Sequence, residues 1–357
     1  MNNLPIYNFV ILGKSGIGKS SLINYFFDSE VAKVGQGKPI TGKIFEKFSL
    51  VKSDLNINIY DSWGIEGGKT NEWINYFNHF LQKTKTDNIY DWIHTAVYCI
   101  SGESSRIEIF DKEIINILIK EKLNPIIVIT KSDLSNPNFK EIINKEFPQV
   151  SIVEICSIKK QVGLGSSKKI SEPQGLEELT VNIVNNSNKT FEPRFLEIIN
   201  NLKAKHKNET IKKIEVLLDK EINFHGNIIG KINSDKQKLI TNLVNNKIKF
   251  EDDLFNIKLN QLKIKAESLY KSLQKMSINN IQASNPEISI KETKVGLTVF
   301  SGVMSVGLSA TSILSIISVI PILMPFAVGF AFLSSGISKQ ELKNKIMEEV
   351  HNHYRKI

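Results

Sequence analysis

Apolar and polar positions follow two different rhythms along this chain. From residue 6 to about 190, short β-branched runs alternate with longer stretches of helical spacing. The runs are "IYNFVIL", "FEKFSLV", "LNINIYD", "IHTAVYCIS", "PIIVITKSD" and "SIVEICS". Continuous apolar runs mark strands covered on both faces, and strands alternating with helices predict a mostly parallel, doubly wound α/β sheet over residues 1–192. "FEPRF" closes that domain, with Pro193 at a helix start. Over 193–294 the spacing is helical instead: Leu239, Ile240, Leu243 and Val244, then Leu254 and Ile257, then Leu269, Leu273 and Met276. This predicts long amphipathic helices broken near Gly226, Gly230 and Pro286.

A third pattern begins at Val295. No charged residue occurs in the 44 positions from Val295 to Ser338, whereas one membrane-spanning helix needs about 20 apolar residues. Pro321 and Pro325 divide the stretch into two arms, predicting an apolar helical hairpin over 295–338. Gly302, Ser305, Ser309, Gly329 and Ser335 supply small residues for close helix approach. Membrane contact is the favoured reading, and a buried hairpin under the lysine-rich helices is its rival. A charged C-terminal helix over 339–357 completes the all-α half.

Composition sharpens this picture in three places. The net charge is +9, and 195–294 alone holds 18 lysines against 12 acids, which suits a solvated face, an anionic surface or RNA. Lys291 and Lys294 before the uncharged stretch, and Lys339, Lys343 and Lys345 after it, place both its ends on the cytoplasmic side of a membrane. Two cysteines, Cys99 and Cys156, provide neither a disulfide framework nor zinc spacing, and the N-terminus lacks a secretory pattern. The α/β domain is therefore expected in a reducing cytoplasm.

The chemistry-bearing residues sit just after the strand runs, where parallel sheets bind ligands. "GKSGIGKS" after the first run has the spacing G-x-x-x-x-G-K-S of a phosphate cradle. Its candidate contacts are Gly13, Ser15, Gly16, Ile17, Gly18, Lys19, Ser20 and Ser21. Lys19 faces the β- and γ-phosphates and the Ser20 hydroxyl ligates Mg²⁺. In "DSWG", Asp61 reaches Mg²⁺ through water and the Gly64 N–H senses the γ-phosphate. In "TKSD", Asp133 accepts from the guanine N1–H and 2-amino group, with Lys131 along the base. Ser157, in "CSIK", offers backbone to the guanine carbonyl, and Thr41, in "GQGKPITGK", closes over Mg²⁺ and the γ-phosphate.

These motifs, with "YDSWGIE", "IHTAVYCISGESSRIE" and "PQGLEEL", resemble the translation-factor-related P-loop GTPases of the Era-like and dynamin-like branch, in the bacterial ribosome-binding GTPase superfamily. The resemblance covers residues 5–190 and implies binding of GTP and GDP with Mg²⁺, and slow hydrolysis in which Lys19, Thr41 and Gly64 take part. Three positions depart from the pattern. Thr130 stands where relatives carry the Asn that ties the base loop to the phosphate loop; Ile65 replaces the water-orienting glutamine; and Gly16 replaces the Asn of potassium-activated relatives. A partner, a switch residue or a nucleotide-dependent second copy would then complete hydrolysis. Arg106 is one candidate finger, with a salt bridge to Glu103 or Glu108 the commoner arrangement. His79 and His94 read as surface or packing groups. The expected whole is a GTP-dependent switch coupled to a membrane-attached helical module; an Era-like protein binding RNA or the ribosome, or a GTP-holding module with little hydrolysis, are the alternatives.

Overall fold

The computed structural model describes residues 4–32, 45–52, 54–64, 70–162, 169–225, 231–284, 289–293, 296–300, 305–307 and 336–355. The six apolar runs form one six-stranded sheet. Its strands are β1 (Ile6–Leu12), β2 (Phe45–Lys52), β3 (Leu55–Ser62), β4 (Thr95–Ser101), β5 (Ile126–Thr130) and β6 (Ser151–Ile155), in the order β2-β3-β1-β4-β5-β6. All neighbours are parallel except the edge strand β2, which runs antiparallel to β3 from Phe45↔Ser62 to Lys52↔Leu55. Burial follows position in the sheet. β1 is covered along nearly all its length, whereas β2 alternates with exposed residues, as an edge strand with one wet face should.

Helices α1 (Lys19–Phe27), α2 (Thr70–Thr84), α3 (Ile109–Lys120) and α4 (Phe139–Glu146) connect these strands. Trp73, Phe77 and Leu81 from α2, and Ile114, Ile115 and Leu118 from α3, bury one apolar stripe each in the core formed with Val10, Leu12, Tyr98 and Ile127. Chain order reverses around β1, with β3 on one side and β4 on the other, so the crevice beyond its carboxyl end is a topological switch point. Beyond β6, a short hairpin of β7 (Lys160–Val162) and β8 (Lys169–Ser171) precedes a 50-residue helix, α5 (Leu176–His225).

Pro193 lies inside α5 rather than at a helix start. Proline removes one helical hydrogen bond and crowds the preceding turn, so neighbouring contacts must hold the helix through it. Arg194 is buried and donates from Nη1 to the Ile93 carbonyl at 2.7 Å, and Phe191 packs on Trp92 with ring centroids 5.9 Å apart. The helix begins instead after Gly175, which takes φ +91°, with Glu177 and Glu178 in its first turn where the helix dipole favours acids.

The chain divides into two compact units: Met1–Arg194 with Lys265–Ser318, and Phe195–Ile264 with Val319–Ile357. The lysine-rich region expected over 193–294 is therefore shared between both. In the first unit the later part of α6 (Ser234–Ser284) is anchored by Lys265, whose Nζ donates to Asn88 Oδ1 at 2.9 Å. The start of the uncharged stretch departs from the helical expectation. β10 (Ser289–Thr293), β11 (Gly296–Phe300) and β12 (Ser305–Gly307) form an antiparallel sheet in which Thr293 pairs with Gly296. Thr298 and Val299 favour strand, and Gly296 disfavours a helix interior. The rest of the predicted hairpin, 308–335, lies outside the described residues. No helix among the described residues is long and apolar enough to cross a membrane.

The second unit has its own core. Each helix contributes a row spaced by four: Ile214, Leu218 and Ile222 from α5, Ile240, Val244 and Ile248 from α6, and Leu342, Ile346 and Val350 from α7 (Lys339–Arg355). Such rows are the ridges along which helices interdigitate. Short strands β9 (Lys231–Ile232) and β13 (Ile337–Ser338) pair beside the core. Asp252 is buried here and accepts from His206 Nε2 and the Tyr354 hydroxyl, each at 2.8 Å, with His353 Nε2 at 3.5 Å. Burial pushes its carboxyl up, but the bonds from His206, His353 and Tyr354 outweigh this and hold it down to about 2. A depressed carboxylate stabilises the fold above its unfolded value, and that contribution is lost as pH falls through the folded one. Asp252→Asn is therefore expected to lower the melting temperature at pH 7 and to flatten the stability loss between pH 4 and pH 2. Circular-dichroism melts across that range check both; an unchanged profile would remove the role given to Asp252.

Candidate functional site

The loop from Gly13 to Gly18 joins β1 to α1 through backbone angles that glycine alone takes without strain: φ is +137° at Gly13, +76° at Gly16 and +103° at Gly18. Space is equally restrictive at Gly13, where a Cβ would lie 2.5 Å from the Cys99 carbonyl oxygen on β4. The loop curls around Lys19. This side chain is only 7% exposed, and its Nζ donates to the Gly13 and Lys14 carbonyls at 3.0 Å each. Burial lowers the Lys19 pKa, and the carboxylate of Asp61 partly offsets that. Ser20 and Ser21 follow in the first turn of α1, both half-buried.

Asp61 comes in at the end of β3, opposite Ile11 in the register. Burial pushes its carboxyl up to about 6, Lys19 opposes the shift, and Glu46 on β2 adds to it. Asp61 Oδ1 and the Ser62 hydroxyl are buried with no hydrogen-bond partner among the described residues. Orphaned buried oxygens are costly, and the Asp61 oxygen, beside a buried ammonium, suits a bound cation and its water. The residues present thus fit a Mg²⁺–phosphate group. Gly64 lies directly against the loop: a Cβ there would be 2.2 Å from Ser15 Cα. Trp63 packs onto the sheet core as a partly buried side chain. Thr41, the candidate for closing the site, and Ile65, which stands in place of the water-orienting glutamine, lie outside the described residues.

The base side carries an arrangement that motif reading missed. Thr130 ends β5, and its Oγ1 donates to the Ile17 carbonyl of the phosphate loop at 2.5 Å. The link between base loop and phosphate loop, in doubt on sequence, is therefore made by a hydroxyl. Lys131 adopts φ +50°, with Nζ 2.7 Å from Glu103 Oε2. Asp133 stands exposed in the short turn Ser132–Leu134. Ser157 follows β6 just after Cys156, whose backbone bridges to Gln174.

From sequence, Glu103 and Glu108 stand only as partners for Arg106. Glu108 binds both Lys14, at 3.0 Å, and Arg106, at 3.1 Å. Its pKa is lowered, chiefly by the hydrogen bond from Lys14. Arg106 is thus in the salt bridge foreseen for it, with its side chain 70% exposed. His94 is a packing group stacked on Tyr7 at 5.0 Å, its Nδ1 accepting from the Asn8 N–H; burial drives its pKa down to about 3, so it is neutral. His79 is exposed.

A parallel sheet, a glycine loop at its switch point and a lysine buried inside that loop define a P-loop nucleotide-binding domain. Residues 8–131 match the family model described as "50S ribosome-binding GTPase", and this domain is similar to GTPases of the Era and Der type. GTPase Der of Borreliella afzelii is 28% identical over 165 residues, covering 44% of this chain and 37% of that protein. Cell division control protein 10 of Candida albicans is 27% identical, covering 40% and 47%. GTPase Era of Caldicellulosiruptor saccharolyticus is 26% identical, covering 42% and 48%. The chain thus spans less than half the length of these relatives. Among solved structures, Era in complex with MgGDPNP and nucleotides of 16S ribosomal RNA matches with a TM-score of 0.34 at 20% identity, covering 52% of this chain and 67% of that one. Toc33 from Arabidopsis thaliana matches with a TM-score of 0.38 at 18%, covering 52% and 85%.

Thr130→Val keeps the side-chain shape and leaves the Ile17 carbonyl without its donor. An unmade buried hydrogen bond costs about 1–3 kcal/mol. GDP affinity is therefore expected to fall roughly 5- to 150-fold in calorimetric titration, with Thr130→Asn closer to the parent. Equal affinities for Thr130→Val and the parent would show the link to be idle.

Proposed function

We propose that this chain binds GTP and GDP with Mg²⁺, hydrolyses GTP slowly, and acts as a nucleotide switch. The observation that carries the reading is the buried Lys19 ammonium, ringed by the loop carbonyls, beside the orphaned carboxylate oxygen of Asp61. Lys19 and the loop N–H groups neutralise phosphate charge, while Ser20, Thr41 and Asp61 hold Mg²⁺ directly or through water. Mg²⁺, when bound, stabilises charge developing on the phosphate oxygens. Asp133 selects guanine and Lys131 lies along the base. Gly64, next to Ser15, reports the γ-phosphate through its N–H, which gives two switch states.

The helical regions are the readers of that switch in this proposal. The uncharged stretch 295–338 supports attachment to the cytoplasmic face of a membrane. The lysine surplus over 195–294 supports a second reading, RNA or ribosome binding, whose signature is a steep loss of affinity with salt. A second copy bound across the nucleotide is one source of the group that Ile65 cannot supply.

Two measurements test the core of this proposal. Asp133→Asn exchanges a carboxylate acceptor for an amide, so GTP binding should weaken and xanthosine triphosphate binding should strengthen in competition titrations. Normal GTP binding by the variant would mean that Asp133 does not read the base. Single-turnover hydrolysis by the parent should lie on the order of 10⁻⁴ to 10⁻³ s⁻¹, the range of an unassisted GTPase, and should rise with protein concentration or added membrane. Fast turnover independent of both would place the missing group within one chain.

A further inference from the structure

Helix α6 carries two apolar rows, and the fold uses one of them. Ile240, Val244, Ile248, Phe255, Leu259 and Leu262 are buried. Leu239, Phe250, Leu254, Ile257 and Ile264 are 45%, 55%, 49%, 54% and 65% exposed. At about 100° per residue these five fall within an arc of roughly 80°, on the side away from the buried row, and they extend along about 38 Å of helix. Phe250, Ile257 and Ile264 repeat at strict sevenfold spacing. A merely solvated face would carry polar residues here.

Charge around the row is positive on balance. Lys238, Lys249 and Lys258 are exposed near it, and between Asp235 and Ile264 the exposed acids are Asp235 and Asp253. The other two acids of that stretch are turned inward. Glu251 is held by Lys213 at 2.7 Å and by Lys247 at 2.8 Å, and Asp252 is held by His206 and Tyr354. The outward face therefore combines large apolar side chains with a net positive fringe.

We infer that this face of α6 is a docking surface for an anionic lipid interface, on which the helix lies in plane. A lipid surface takes both features at once: the apolar row enters the boundary between headgroups and acyl chains, and the lysines meet headgroup charge. A second copy of the same face would set lysine against lysine. RNA would engage the lysines and leave the apolar row in water. The inference is independent of nucleotide chemistry, and it names a peripheral contact on a different segment from the uncharged stretch 295–338.

The test uses the full chain and flotation with two kinds of vesicle, phosphatidylcholine alone and phosphatidylcholine with phosphatidylglycerol. The parent should float with the anionic vesicles. Phe250→Glu with Ile257→Glu, both at exposed positions, should lower that partition at least tenfold, as should Lys249→Glu with Lys258→Glu. Phe250→Leu with Ile257→Val should retain it. Circular dichroism and GTP titration on the same samples report the fold and the nucleotide site separately, so a failure of the GTPase reading is distinguishable from a failure here. Undiminished flotation of the Phe250/Ile257 glutamate variant would overturn the inference and move membrane contact elsewhere in the chain. Self-association in sedimentation velocity, abolished by that variant while flotation persists, would overturn it in favour of a second copy. RNA retention lost in the lysine variant, without any change in flotation, would overturn it in favour of RNA.

Discussion

Everything around the phosphate loop depends on keeping one ammonium group out of water. Lys19 is buried and held by two loop carbonyls, while burial works against its charge. Such a group is tolerable only where oxygens surround it, and the backbone can curl that tightly only where Gly13, Gly16 and Gly18 accept positive φ. The same requirement reaches back into the sheet. The Cys99 carbonyl on β4 presses so close to Gly13 that a side chain has no room, and Asp61 at the end of β3 faces the lysine with its own pKa raised. Loop, sheet and carboxylate are thus one electrostatic arrangement, whose open valences a phosphate–magnesium group would fit.

Around this centre, hydroxyls and carboxylates do the work of holding loops in place. Thr130 links the end of β5 to Ile17, Glu108 gathers Lys14 and Arg106, and Glu103 holds Lys131. Each connects a residue near the ligand site to a neighbouring loop. The second unit is built on a different principle, with three helices meeting through rows spaced by four and a buried carboxylate stitched to imidazole and phenol groups of two other helices. Helices α5 and α6 each contribute residues to both units.

The chain's pattern alone determined the α/β sheet and the position of its phosphate loop. Strand runs buried on both faces have no polar positions to spare, so their periodicity is unambiguous, and a phosphate cradle needs glycine and lysine at fixed spacing because backbone geometry leaves few alternatives. The ends of the long helices near Gly226 and Pro286 were legible for the same local reason. Other features were decided by contacts between distant residues. Pro193 sits inside α5 because Arg194 and Phe191 are anchored on the sheet domain, a gain invisible to local propensity. Thr130 replaces asparagine at the loop link because the Ile17 carbonyl comes within reach of a shorter side chain, and Lys14 is bound to Glu108 because the fold brings the start of α3 beside the phosphate loop. Gly296–Phe300 and Ser305–Gly307 pair as strands although an uncharged sequence reads equally well as helix, since hydropathy carries no information about which backbone groups will find partners. Local sequence specifies what the chain cannot avoid, and tertiary packing chooses among the conformations it can afford.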